Sequence, residues 1–279
     1  MKLRTILTVL LVLTTVVLVS ARTPLVIIHT NDTHSQLDSF AEGEGYDAGN
    51  GGILRRESLI REVRSKEPNV LVFESGDFVQ GTPYFNLFKG DADMELMNFL
   101  KPDAVTLGNH EFDNGIEALA SMLKKAEFPV ICTNYDVSQT VLKGLVKPWL
   151  IVKRGKLLIG IVGANIHLKG LTLSSNYDGL VYLDPISTVD ARAEWLKKKK
   201  RCDVVICLSH LGYQYDTNKP DDLKLAEKSR NIDVILGGHT HTYLKEPTLI
   251  QNLNGDTVIV NQVGRSGVYM GRLDLSIGR

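Results

Sequence analysis

The sequence predicts an α/β fold in which polar residues follow the ends of parallel strands. Short runs of β-branched and apolar residues, typical of buried strands, alternate with segments whose apolar residues recur at helical spacing. Five of the strand-like runs end in Asp, Asn or His. At 279 residues, of which 43% are hydrophobic and 23% charged, the chain can bury a sizeable core. We therefore expect one broad α/β domain with its functional residues along one edge of a parallel sheet.

The first half of the chain supplies three of these strand ends. The predicted strands are residues 25–30, 70–75 and 103–106, and the polar residues that follow them are Asp32 with His34, Asp77, and Asn109 with His110. The predicted helices are 53–64, 94–100 and 115–126, and a further strand is predicted at 129–132. The densest chemistry lies in residues 107–113, where a metal-type ligand, a candidate acid and an orienting carboxylate are neighbours.

The second half of the chain adds two strand ends and a second sheet. Residues 149–152 and 157–162 flank a glycine-containing turn and predict an antiparallel hairpin. The other predicted elements are helices at 187–200 and 220–230, strands at 203–208 and 232–236, and a closing hairpin of edge strands at 257–263 and 267–277. The two inner strands end at His210 and at His239 with His241. Because parallel strands bring their carboxyl ends to a common edge, all five sets of residues should converge.

These convergent residues have the chemistry of a metal site. A single histidine at a strand end is more often a hydrogen-bonded structural residue, but five polar endings are poorly explained in that way. Mixed carboxylate, amide and imidazole ligands suit zinc, manganese or iron, whereas calcium draws mostly oxygen ligands. The ligands are too many for one tetrahedral ion. Two divalent ions about 3.5–4 Å apart, sharing a carboxylate, could bind a hydroxide and a phosphoryl oxygen together.

The first 21 residues predict export. Lys2 and Arg4 precede an apolar run at 6–19, and small residues suited to cleavage follow. The alternative is an uncleaved anchor, although the run is short for a membrane span of about 20 residues. Removing the segment leaves 30 basic against 32 acidic residues, which argues against nucleic-acid binding. We expect a secreted or periplasmic protein with a catalytic domain at 22–279, no stable membrane span and three cysteines in its core.

Five blocks of the sequence resemble the calcineurin-like metallophosphoesterases. They are Asp32-Thr33-His34, Gly76-Asp77, Gly108-Asn109-His110-Glu111, His210, and Gly238-His239-Thr240-His241. More narrowly, residues 29–34 and 107–113 resemble the two signatures of the secreted 5′-nucleotidase family. The resemblance covers residues 25–275 and implies a four-layer α/β/β/α sandwich, of which this chain would be the catalytic domain.

The resemblance also implies a role for each site residue. Asp32, His34 and His241 would hold one divalent metal ion, Asn109, His210 and His239 would hold the other, and Asp77 would bridge the two. His110 would stay off the metals and stabilise the leaving group or the transition state, with Asp113 orienting its ring, a pairing that suits general-acid chemistry. Asn109 and His110 would contact the substrate. His29 matches a signature but lies inside a strand, so we expect a buried, hydrogen-bonded histidine.

We therefore expect an exported hydrolase that cleaves phosphomonoesters, nucleoside 5′-monophosphates foremost, by in-line attack of a metal-bound hydroxide. A phosphodiesterase or nucleotide-sugar pyrophosphatase is the alternative among enzymes, since the same centre attacks diesters. A secreted protein that only binds a ligand at this site is the alternative outside enzymes. In two-domain members of the family, a separate carboxyl-terminal domain grips the nucleoside. This chain would act alone on a broader set of phosphoesters, or a separate chain would supply that nucleoside clamp.

Overall fold

The computed structural model describes residues 22–43, 45 and 47–278. The predicted signal peptide, residues 1–21, lies outside the described residues. None of the helices in the described part of the chain is long and apolar enough to cross a bilayer.

Strands and helices alternate through most of the chain. In chain order, the strands are β1 (Thr23–Thr30), β2 (Val70–Glu74), β3 (Ala104–Val105), β4 (Val130–Ile131), β5 (Tyr135–Asp136), β6 (Val146–Lys147), β7 (Leu150–Arg154), β8 (Leu157–Asn165), β9 (Val181–Tyr182), β10 (Val204–His210), β11 (Val234–Leu236), β12 (Thr248–Gln251), β13 (Thr257–Asn261) and β14 (Gly271–Ile277). The helices are α1 (Ile53–Lys66), α2 (Pro83–Phe88), α3 (Asp91–Leu100), α4 (Ile116–Leu123), α5 (Pro185–Lys198) and α6 (Asp222–Lys228), with short 3-10 helices at His110–Phe112 and Ser174–Tyr177. Each strand and helix predicted before residue 237 is present, within a few residues of its expected bounds.

Local sequence signals explain where two of the later helices begin. The side chain of Asp184 accepts a hydrogen bond from Ser187 N, and a proline occupies the first position of α5. Asp221 likewise accepts from Lys224 N at the start of α6. Such caps satisfy backbone N–H groups that have no partner within the helix.

Two mixed six-stranded sheets carry the fold. The first has the order β14-β1-β2-β3-β4-β6, and the second has the order β12-β13-β11-β10-β8-β7. The inner strands are parallel: Val26 of β1 is level with Val70 of β2, and Ile206 of β10 is level with Val234 of β11. Antiparallel strands close three of the four edges, with β14 on β1, β12 on β13 and β7 on β8, whereas the edge strand β6 pairs parallel with β4. The predicted hairpin at 149–162 is thus confirmed as the β7–β8 edge.

The two sheets pack face to face, with helices on both outer sides. Leu71 and Ile131 from the first sheet and Ile161 and Val204 from the second belong to one buried cluster between them. Helices α1 and α3 cover the outer face of the first sheet, and α5 and α6 cover that of the second. This is the α/β/β/α sandwich that the resemblance implies. The three cysteines are buried and unpaired, as predicted.

The predicted closing hairpin is wrong, because its two strands lie in different sheets. β13 pairs antiparallel with β12, whereas β14 pairs with β1 in the other sheet. The turn signal of the actual hairpin is Asn254-Gly255, where Gly255 has a φ of 79°. Residues 262–270 instead cross from the second sheet to the first.

The five site strands are also divided between two sheets, which corrects the expectation of one parallel sheet. β1, β2 and β3 belong to the first sheet, and β10 and β11 belong to the second. Strands buried on both faces have continuous apolar runs in either sheet, so periodicity could not assign them. Both sheets end at one rim, where Ser75 Oγ donates to Leu236 O at 2.8 Å. The common edge therefore exists, but two sheets share it.

Candidate metal centre

Five site residues have left-handed backbone conformations. Asp32, His34, Asp77, His239 and His241 have φ angles of 51°, 49°, 53°, 73° and 53°. For a residue with a Cβ, each such conformation costs about 1–3 kcal/mol and persists only where the surrounding contacts hold it. Their concentration at the strand ends therefore indicates a functional site.

Two glycines of the sequence blocks let the loops of the two sheets approach each other. A Cβ at Gly76 would lie 2.6 Å from Gly108 N and 2.8 Å from His210 Nδ1. A Cβ at Gly238 would lie 2.8 Å from the same nitrogen and 3.0 Å from Asp32 Oδ2. Distances this short would force the loops apart, so convergence of the site requires glycine at both positions.

The side chains predicted as metal ligands converge at the rim. Three groups have ligand atoms that all lie within 4.8 Å of one another: Asp32, His34 and His241; Asp77, His210 and His239; and His34, Asp77 and His110. Asn109 adjoins the second group, because its Oδ1 lies 2.9 Å from His239 Nδ1. Asp77 belongs to the second and third groups and His34 to the first and third, so these two residues link the three groups into one cluster.

The ligand atoms are spaced as they would be around cations. His34 Nε2 lies 2.9 Å from His241 Nε2, which in turn lies 3.3 Å from Asp32 Oδ1. His210 Nε2 lies 3.0 Å from Asp77 Oδ2. Lone-pair donors approach this closely only where a proton or a cation relieves their repulsion. Metal–nitrogen bonds of about 2.1 Å give ligand–ligand edges of roughly 3.0–3.4 Å, so these residues fit divalent ions.

The electrostatics of the cluster favour positive charge. Burial would lower the pKa of His210, but the carboxylates of Asp77 and Asp32 outweigh burial and raise this pKa to about 10. Burial would raise the pKa of Asp77, yet nearby histidines, His210 foremost, lower it. Burial, together with His210, lowers the pKa of His239 to about 4, which keeps this ring in the neutral form that binds metals. The cluster thus combines an ionised carboxylate with a neutral imidazole, as a cation site requires.

His110 and Asp113 form a pair beside the cluster. His110 Nδ1 lies 2.7 Å from Asp113 Oδ2, and the backbone N–H of His110 donates to Asp77 Oδ1 at 2.8 Å. Burial would lower the pKa of His110, but the hydrogen bond to Asp113 and the charge of Asp77 raise it. The His110 side chain is 30% exposed, so Nε2 can face a substrate. Since His110 also belongs to a ligand group with His34 and Asp77, the geometry fits either a catalytic or a ligand role.

Glu111 organises two loops of the site, although the sequence pattern does not assign it a role. Its buried carboxylate accepts hydrogen bonds from the backbone N–H groups of Asp77 at 3.1 Å, Phe78 at 2.9 Å and Gly108. Burial and the charge of Asp77 raise the pKa of Glu111 to about 7. The sequence signal that could have indicated a role for Glu111 is its position immediately before the apolar residue Phe112, which is buried.

Gln262 organises the loop that carries His239 and His241, and it too is missed by the strand-end reasoning. It is fully buried. Its Nε2 donates to Gly238 O at 2.7 Å, and its Oε1 accepts from Thr242 N. A signal was present, because Gln262 directly follows strand β13 and repeats the pattern of a polar residue at a strand end.

Two other histidines lie outside the cluster. His29 is buried, and its Nε2 lies 3.0 Å from Asn261 Nδ2, so the expectation of a hydrogen-bonded core histidine is confirmed. Burial lowers the pKa of His29 to about 4. His167 packs against Tyr182, with 4.4 Å between ring centroids.

Known proteins share this fold and these motifs. Residues 25–243 match the family of calcineurin-like phosphoesterases. The chain is 34% identical to human 5′-nucleotidase over 272 residues, which cover 90% of this chain and 46% of that protein. It is similar to the 5′-nucleotidase precursor of Thermus thermophilus, with a TM-score of 0.82, 35% identity, and coverage of 91% of this chain and 51% of that one. It is also similar to the NAD nucleotidase of Haemophilus influenzae, with a TM-score of 0.81, 30% identity, and coverage of 91% and 53%.

The family match includes every residue expected to bind metal, from Asp32 to His241. The chain spans about half the length of the relatives described above. The chain belongs to the calcineurin-like phosphoesterases, a family of metal-dependent phosphoric ester hydrolases.

Proposed function

We propose that the protein is an exported phosphoesterase with two divalent metal ions, which hydrolyses phosphomonoesters and nucleoside 5′-monophosphates in particular. The observation that carries this proposal is the carboxylate of Asp77, which shares one ligand group with His210 and His239 and another with His34, while His34 in turn groups with Asp32 and His241. A pair of ions a few ångströms apart can clamp the attacking and leaving oxygens of a phosphoryl group. Similarity to the human and Thermus thermophilus 5′-nucleotidases supports the choice of substrate.

The ligands divide into two sets around Asp77. We assign Asp32, His34 and His241 to one ion and Asn109, His210 and His239 to the other, with Asp77 shared. The short separations between ligand atoms within each set support this division. Zinc, manganese or iron suits the mixture of imidazole, amide and carboxylate. Such ions, when bound, lower the pKa of an attacking water and neutralise charge on the phosphoryl oxygens.

We assign the proton for the leaving group to His110. Asp113 holds Nδ1 at 2.7 Å, which leaves Nε2 to carry a proton toward the departing oxygen. The hydrogen bond from the backbone N–H of His110 to Asp77 Oδ1 ties the position of the ring to the ligand cluster. Because Asn109 and His110 are adjacent at this edge, both would also contact the phosphoryl group and position it.

Cleavage of a nucleotide anhydride or diester is the second candidate. Similarity to the NAD nucleotidase of Haemophilus influenzae favours it. The same ligand set serves both reactions, because each breaks a phosphorus–oxygen bond. A substrate panel that includes phosphomonoesters, diesters and dinucleotides separates the two candidates.

Export and a partner are separate parts of the proposal. The basic and apolar pattern of the first 21 residues supports removal of a signal peptide and a secreted or periplasmic location for residues 22–279. We also propose that a separate chain adds contacts to the nucleoside, and similarity to 5′-nucleotidases supports a nucleoside as the group contacted. Amino-terminal sequencing of the protein recovered outside the cytoplasm tests export, and co-purification tests the partner.

Phosphate release from purified protein loaded with manganese or zinc tests the activity. We expect release from nucleoside 5′-monophosphates, loss of release with a chelator, and abolished release in Asp77→Asn. Asp256→Asn is the matched control, because Asp256 is exposed at the turn between β12 and β13. Unchanged rates in Asp77→Asn or with the chelator would refute the proposal, and binding without release would favour a ligand-binding protein.

A further inference from the structure

Tyr243 and Tyr269 form an exposed aromatic pair next to the metal centre. Their ring centroids lie 4.3 Å apart, and the ring planes are inclined by 30°. Tyr243 is 51% exposed and Tyr269 is 36% exposed. Aromatic surface gains free energy when it leaves water, so two neighbouring rings in solvent beside a site indicate a surface that a ligand can cover.

The pair is attached to the loops that carry the ligand residues. Tyr243 follows His241 by two residues, so their Cα atoms are at most about 7 Å apart. On the other loop, Ser266 N donates to the carbonyl of Asp32 at 2.7 Å, three residues before Tyr269. Both residues of the aromatic pair therefore lie on loops that border the metal centre.

Buried hydrogen bonds hold the backbone next to the rings. Asn31 Nδ2 donates to Gly264 O at 2.7 Å and to Asp32 Oδ2 at 2.6 Å, and Asn31 Oδ1 accepts from Val263 N at 3.0 Å. Tyr243 in turn forms an antiparallel bridge with Val263. The aromatic pair and the ligand Asp32 thus share one rigid framework, and binding a ring there requires little ordering of the protein.

We propose that Tyr243 and Tyr269 stack against a flat aromatic ring in the leaving alcohol of the substrate, such as the base of a nucleoside 5′-monophosphate. This inference rests on the proposed phosphoesterase activity and adds a binding subsite to it. Stacking on an aromatic side chain tolerates any base, because every base has a π-face. The subsite should therefore accept purines and pyrimidines alike, while a sugar phosphate without a base gains nothing from it.

The test compares two substrates that differ only in the base, adenosine 5′-monophosphate and ribose 5-phosphate. For Tyr243→Ala in the full-length protein loaded with manganese, we expect the ratio of kcat/KM between them to fall about tenfold, which corresponds to about 1.4 kcal/mol. Tyr243→Phe should keep the native ratio, because it retains the ring. Phe99→Ala is the matched control, since Phe99 is 53% exposed on α3.

Binding of adenosine, measured by calorimetry, gives a second readout that needs no turnover. We expect its Kd to rise about tenfold in Tyr243→Ala and to stay at the native value in Tyr243→Phe. An unchanged substrate ratio together with an unchanged Kd would overturn the subsite, even if phosphate release is intact. Absence of phosphate release from both substrates would instead refute the proposed function, and the Kd would still decide whether the aromatic pair binds the base.

Discussion

Replacement of Gln262 by leucine should weaken metal binding, although Gln262 is not itself a candidate metal ligand. Gln262 contacts neither ion site directly, but its side chain bonds Gly238 O at 2.7 Å and also accepts from Thr242 N. Between these two backbone groups lie His239 and His241, with φ angles of 73° and 53°. Because this conformation is costly, the loop needs the contacts of Gln262 to stay in place.

The expected magnitude follows from the backbone N–H of Thr242, which Gln262→Leu leaves without its partner, whereas Gly238 O keeps the hydrogen bond from Thr240 N at 3.0 Å. A backbone N–H shielded from water costs about 1–3 kcal/mol when it has no partner, so the loop is destabilised by roughly that amount unless it moves. If the loop moves, His239 and His241 move with it. Loss of a residue that orients metal ligands typically reduces affinity 10–100-fold, and a 100-fold loss equals about 2.7 kcal/mol, within that range.

Competition with a chromogenic chelator measures this affinity for manganese or zinc. We expect a 10–100-fold weaker Kd in Gln262→Leu. We expect no change in Gln251→Leu, where the glutamine is exposed on β12. Denaturant unfolding of the metal-free proteins checks that the variant is folded. A folded Gln262→Leu protein with a Kd within about twofold of native would refute the reasoning about the loop.

Two further predictions concern the acid pair and the core. Asp113→Asn removes the carboxylate that lies 2.7 Å from His110 Nδ1. Phosphate release should therefore fall about 100-fold for alkyl esters but much less for 4-nitrophenyl phosphate, whose leaving group needs no proton. Equal losses on both substrates would contradict the role of His110 as an acid. His29 has a pKa of about 4 in the fold against 6.5 when unfolded. The unfolded chain therefore takes up a proton first, and the free energy of unfolding should decrease by about 3 kcal/mol as the pH falls from 6.5 to 4. Denaturant titrations of metal-free His29→Gln should lack this decrease in the free energy of unfolding. The same pH dependence in His29→Gln and in the native protein would refute the prediction.

Local sequence patterns predicted most helices and strands but not how the strands pair into two sheets. β2 and β10 are buried throughout and begin with four and five consecutive apolar residues, so these strands were predictable from composition alone. β12 was missed because its sequence, Thr-Leu-Ile-Gln, does not alternate in polarity, although its residues alternate between half-buried and exposed positions. The assignment of strands to two sheets, and of β14 to the partner β1, depends on long-range pairing that no short window contains.

The candidate site likewise contains residues that local sequence patterns predict and residues that they do not. Its candidate ligands were predictable because each follows an apolar run and each has metal-binding chemistry. Glu111 and Gln262 were not, because their roles depend on which backbone groups they meet. Glu111 bonds the N–H groups of Asp77 and Phe78, more than thirty residues away in sequence, and that partnership exists only once the strands are assembled.

The central claim is that two cations share the carboxylate of Asp77. An anomalous difference map from a crystal soaked in manganese tests it directly. We predict two peaks about 3.5–4 Å apart, both in contact with Asp77, one near His241 and the other near His210. A single peak, or peaks that do not touch Asp77, would contradict the dinuclear centre.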